Sequence, residues 1–131
     1  MTRVLAAALL ALSAGAAPAA DIVPLAEKMK QGMPTHYALV RCAALSLATA
    51  EWVAGHDGDA ALAEGLAQRA AGFERAAARA AEGVDVAVTT FADEWSDRFA
   101  ASGRPGDSAW KGDPLWAKDM TVCDEIAEAA R

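Results

Sequence analysis

Most of the residue types that build active sites are scarce in this chain. It has two histidines and two cysteines in 131 residues. Cys42 and Cys123 lie far apart, so there is no Cys-x-x-Cys pair for thiol exchange and no Cys-x-x-Cys-His for covalent haem. Gly-x-Ser-x-Gly, His-Glu-x-x-His, the phosphate-binding glycine loop and the dinucleotide fingerprint are all missing. Neither His36 nor His56 has an acid–base team beside it in sequence. The chain therefore reads as non-catalytic and without a cofactor. Basic charge is also short, at 12 Lys and Arg against 18 Asp and Glu, which argues against nucleic acid. Aromatic residues make up 6% and β-branched residues are few, and no stretch alternates apolar with polar as a strand would.

What the chain has in excess is alanine, the strongest intrinsic helix former. Alanine buries little area, so a core built on it is weakly stabilised per residue and gains from a covalent staple. Residues 1–20 read as a secretory signal peptide: Arg3, then an apolar run from Val4 to Leu12, then small residues ending in Ala17-Pro18-Ala19. The run is short for a spanning helix, which leaves an uncleaved anchor as the rival reading. Cleavage after Ala19 and general export to the periplasm are expected. Removing Arg3 leaves 11 basic against 18 acidic residues, a net of −7. No later segment reads as a membrane span, so no stable insertion is expected once the leader is removed.

Residues 21–131 read as one helical domain. Asp21 to Lys30 suits a short helix, with Asp21 as cap and Pro24 in the first turn. A long apolar helix is predicted from about Thr35 to Ala54, stopped by Gly55. The next runs from about Asp59 to Glu82, with Leu62, Leu66, Ala70, Phe73 and Ala77 as its inner stripe. Gly65 and Gly72 on its flank suggest close approach of another helix. Gly83-Val84-Asp85 can break the chain before a helix carrying Val88, Phe91, Trp95 and Phe99. The two stripes keep phase through Gly83, so one continuous helix is the alternative, although its length does not suit a compact domain. Arg104 to Gly112 reads as loop. Asp113-Pro114 is a strong start for the last helix, which reaches about Ala130. Four long helices with short links predict an all-α, up-down-up-down four-helix bundle with a short extra N-terminal helix.

In that topology the first and last long helices are antiparallel neighbours, and Cys42 and Cys123 lie at similar depths. A Cys42–Cys123 disulfide is expected, with two buried free thiols as the rival. Arg41 adjoins Cys42, while Asp119 lies one turn before Cys123 and Asp124 follows it. These three read as an ion pair beside the bridge, although an arginine here could also hold an anionic ligand. Glu94 is the natural partner of Arg98. Asp93 and Asp97, like charges one turn apart, read as a solvated face or a cation contact.

Trp52, Trp95, Trp110 and Trp116, with His56, gather at one end of such a bundle. They form either an aromatic plug or a surface for a ligand or partner. At the other end Met29, Met33 and His36 offer thioether and imidazole donors suited to Cu(I), with Tyr37 nearby, but Gly32 and Pro34 break their spacing. The run Tyr37-Ala-Leu-Val-Arg41-Cys42-Ala-Ala-Leu45 stands with Asp113-Pro114-Leu-Trp-Ala-Lys-Asp119 and Cys123. Together they resemble small secreted helical proteins of uncharacterised function in Gram-negative bacteria, and the resemblance implies no activity. The sequence thus points to a periplasmic accessory or binding protein acting through a bundle end or a helix face. The alternative is a small-ligand or copper carrier, with a cavity lined by Trp95, Trp116 and Arg41. The partner is then an envelope protein or a small molecule.

Overall fold

The computed structural model describes residues 21–131, and the leader expected at residues 1–20 lies outside them. The described chain is all-helical, in the order α1 (Leu25–Lys30), α2 (Thr35–His56), α3 (Ala60–Ala78), α4 (Val84–Ala101), α5 (Ser108–Lys111) and α6 (Pro114–Ala129). The helix starts follow local chemistry. Asp59 caps α3 by accepting from the Leu62 N–H, and Asp113 caps α6 by accepting from the Leu115 N–H, with Pro114 in the first turn. Gly83 takes φ +69° ahead of α4, a left-handed conformation that stops α3 and α4 from fusing.

Three local expectations need correction. Asp21 is exposed and caps nothing, because α1 begins at Leu25 behind Pro24. α2 continues through Gly55 to His56. The stretch before Asp113 is not wholly loop, since Ser108–Lys111 forms one turn of helix that buries Ala109 and Trp110.

Helix α2 is the hub: it packs against α3 and α4 most extensively, then against α6 and α1. This explains its composition. Buried residues surround it, from Ala38 and Val40 through Leu45, Ala48 and Ala50 to Val53, so it has no single apolar stripe. By length and composition alone α2 could cross a membrane, contrary to the expectation from sequence, and two thirds of its apolar window is buried inside this domain. The core around it takes its large side chains from other helices, chiefly Leu25, Phe73, Val88, Trp95 and Phe99. Gly65 and Gly72 do not admit a neighbouring helix, because no atom lies within 4 Å of where their side chains would begin.

Candidate functional site

Cys42 and Cys123 are joined, with their Cα atoms 5.5 Å apart, and the bond ties α2 to α6 across 81 residues of sequence. Helical spacing places Asp119 one turn from Cys123 on the same face of α6, while Arg41 precedes Cys42 on α2. The two side chains meet: Arg41 Nη2 donates to Asp119 Oδ2 at 2.8 Å, and both groups are at most 3% exposed. Arg41 Nη2 also donates to the Val23 carbonyl at 2.7 Å, and Nη1 donates to the Tyr37 hydroxyl at 2.9 Å. The guanidinium lies 5.7 Å from the Tyr37 ring centre and 5.6 Å from that of Phe91. Asp119 Oδ1 accepts the Leu25 N–H at 2.9 Å. Burial pushes the Asp119 carboxyl above the ordinary range, although the Leu25 N–H and Arg41 oppose that rise. Both terminal nitrogens of Arg41 are thus occupied by protein groups, while its buried Nε has no hydrogen-bond partner. Arg41 acts as a clamp that holds residues 22–25 against α2 and α6, and Leu25 is fully buried there.

Asp124 does not join this pair. It follows Cys123 by one residue, about 100° further round the helix, and it bonds Arg69 of α3 at the surface. Glu94 does not hold Arg98 either. Arg98 Nε and Nη2 both reach Asp113, the latter at 2.9 Å, so the cap of α6 is also locked to α4. Burial acts to raise the Asp113 carboxyl, but the two bonds and the charge of Arg98, with the Leu115 and Trp116 N–H groups, outweigh it. The net shift is downward. Arg98 is raised in turn, chiefly by its bond to Asp113.

The tryptophans fall into two contacting groups along α2, Trp52 with Trp95 through Phe99, and Trp110 with Trp116. Trp52 stacks on His56 with ring centres 3.7 Å apart, contacts Phe99 and donates to the Gly106 carbonyl at 2.8 Å. Trp116 donates to Thr49 Oγ1 at 3.0 Å and lies 4.9 Å from Trp110. Trp95 is 1% exposed and Trp110 6%, so neither can anchor a partner at the surface. What remains accessible is a polar depression lined by His56, Asp57, Asp59, Asp107, Trp110 and Lys111. Lys111 is already paired with Asp107 at 2.6 Å, while Asp57 Oδ2 and Trp110 Nε1 have no hydrogen-bond partner. Trp95 and Arg41 are each at most 2% exposed, and neither lines the depression at this end.

At the other end Met29 and Met33 are exposed. Met33, His36 and Tyr37 line one depression with the α3–α4 turn and Phe91, and Met29 does not contribute to it. Asp93 and Asp97 are exposed, and no three His, Cys, Asp or Glu side chains gather at metal-holding spacing among the described residues.

One surface had no warning in the apolar stripes. Between α2 and α3 runs an open groove lined by Leu47, Ala50 and Ala54 from α2 and by Ala60, Ala63, Ala67 and Ala71 from α3, alanines with one leucine among them. Glu51, Glu64 and Gln68 stand on its edges, and no lysine or arginine lines it. The α3 alanines recur at helical spacing on the flank of α3, about 100° round from the centre of the Phe73 stripe. Such a surface offers space and apolar contact, with Glu51, Glu64 and Gln68 as its polar groups.

Comparison with known protein families, curated proteins and solved structures gives no match to this chain. Fold and site define a class only: a small all-helical domain stapled by one disulfide, with a buried ion pair beside the staple and an apolar groove on one helix pair.

Proposed function

We propose that this chain is a non-catalytic accessory protein of the bacterial envelope, exported by its first twenty residues, that binds another protein through the α2–α3 face. The four long helices are read as an up-down-up-down bundle around α2, which leaves that face outward. The observation that carries the reading is the groove itself. It is open, apolar and helix-lined, whereas the arginine that could have held a ligand is occupied by the protein's own groups. The cysteines also suit this compartment, because a structural disulfide persists where thiols are oxidised. The likeness to small secreted helical proteins of Gram-negative bacteria agrees with this role and supplies no activity.

Site-specific photo-cross-linking in the intact envelope tests the reading. A reactive side chain at Ala63 or Ala67 should give a discrete adduct that one at Asp93 does not. No adduct from the groove, or the same adducts from all three positions, overturns it.

A second reading is a carrier of a small polar ligand at the tryptophan end. It is favoured by two buried polar atoms without partners, Asp57 Oδ2 and Trp110 Nε1, on residues that line one depression. A carrier should melt higher with its ligand bound, and Asp57→Ala should remove that rise. The copper form of this reading rests on Met33 and His36, and unchanged Cu(I) affinity after replacing both ends it.

A further inference from the structure

We infer that the occupant of the α2–α3 groove is an amphipathic helix of another protein, with large apolar side chains on one face and lysine or arginine beside them. The inference rests on the accessory-protein reading and gives its partner a chemistry.

Three features of the groove select this occupant. The first is length. Ala60, Ala63, Ala67 and Ala71 lie at helical spacing, and the eleven helical rises between the first and the last extend about 16 Å. That matches about three turns of a partner helix, the common size for helix-in-groove recognition. The second is shape. Alanine floors leave space between two ridges, and space of that kind is filled by Leu, Ile, Met or Phe inserted from outside. Ala50 and Ala54 supply the same short floor on the α2 side. The third is charge. Glu51 and Glu64 are the charged groups that line the groove, with no lysine or arginine beside them in the lining, so its own charge is negative. Basic flanks on the partner would meet it, speeding encounter and setting orientation.

The same features disfavour a second copy of this chain. Face to face, two such grooves would bring mostly alanine against alanine, with Leu47 the one larger apolar side chain of each copy to fill the space. They would also place Glu51 and Glu64 near the same acids of the other copy.

Three synthetic 14-residue peptides probe the inference, with binding to the full chain followed by fluorescence anisotropy. One carries leucine at positions 1, 4, 8 and 11 with lysine flanks, the second has glutamate in place of lysine, and the third scrambles the first. Saturable binding of the lysine peptide is expected, at least tenfold tighter than either control. Ala67→Arg, at an exposed position, should weaken it tenfold or more while the circular dichroism and melting temperature stay near wild type. Glu51→Lys with Glu64→Lys should turn the preference toward the glutamate peptide.

Equal binding of the scrambled peptide, or undiminished binding by Ala67→Arg, overturns the inference. So does a wild-type dimer in sedimentation that Ala67→Arg dissolves, since the occupant is then a second copy. Binding to the exported, processed protein but not to the full chain assigns the groove to residues 1–20 and also overturns it. Cross-links from Ala63 and Ala67 without peptide binding remove this partner chemistry alone and leave the accessory reading standing.

Discussion

Arg41 and Asp119 carry the largest single-residue consequences. A buried ion pair adds little against a well-packed apolar pair, but removing one member strands the other in the core. Asp119→Ala leaves Arg41 without its carboxylate and the Leu25 N–H without its acceptor. It should cost about 3–5 kcal/mol, read by urea unfolding of the oxidised protein, with the secondary structure retained at zero denaturant. A cost below about 1 kcal/mol would mean that solvent reaches the site and replaces the carboxylate. Asp113 has a different signature, because it is an acid whose folded pKa is depressed. Its contribution is full above the unfolded value, about 3.9, and is lost as pH falls through the lower folded value. The stability gap between wild type and Asp113→Asn should therefore be constant near neutral pH and shrink below about pH 4. Asp119 lies on the other side of the ordinary value, so its titration does not add to acid unfolding. Denaturant midpoints for both proteins across pH 3 to 7 check the sign, and a gap that widens in acid would contradict it.

Among elements, three glycines separate two uses of one residue. Gly83 holds φ +69° and keeps α3 and α4 apart, so Gly83→Ala should destabilise by about 1 kcal/mol. Gly65 and Gly72 lie within α3 with open space around them, and alanine there has only the helix to improve. Gly65→Ala and Gly72→Ala should each stabilise by about 0.5–1 kcal/mol, and thermal melts of the three variants decide the matter. These positions also mark what the sequence could tell. Helix starts at Asp59 and Asp113, the break at Gly83 and the inner stripe of α3 are set by neighbours within a turn, so local pattern reveals them. The Cys42–Cys123 link and the Arg41–Asp119 pair were legible because each couples positions one turn or one residue from the other. Arg98 with Asp113, Asp124 with Arg69, and the floor between α2 and α3 depend on how each helix is rotated about its axis. Alanine leaves that rotation unmarked, because it is at home both in a core and on a surface. For the same reason Gly65 and Gly72 looked like a packing seam when they face open space.

For the molecule as a whole, the staple, the ion pair and the N-terminal segment form one mechanical unit. Cys42–Cys123 holds α2 against α6, which brings Arg41 to Asp119, and together these accept Val23 and Leu25. The loop closed by the bridge is long, and the chain-entropy model gives it about 4 kcal/mol of stabilisation. That is a large share of the 5–15 kcal/mol typical of a whole domain, and this core is rich in alanine. Reduction should act unevenly. The α2–α3 and α2–α4 packing does not depend on the bond, so Phe73 and Val88 should stay buried in mild reductant. The clamp loses its alignment first, and residues 22–25 lose the groups that hold them. Hydrogen exchange followed by mass spectrometry reads this directly. The Leu25 amide, whose N–H is bonded to Asp119 at 2.9 Å, should exchange at least about tenfold faster after reduction, while α3 and α4 amides change little. Uniform acceleration across all helices would instead show that bond and bundle unfold as one cooperative unit. In that case the covalent link stabilises the whole helical domain and the N-terminal segment has no special dependence on it.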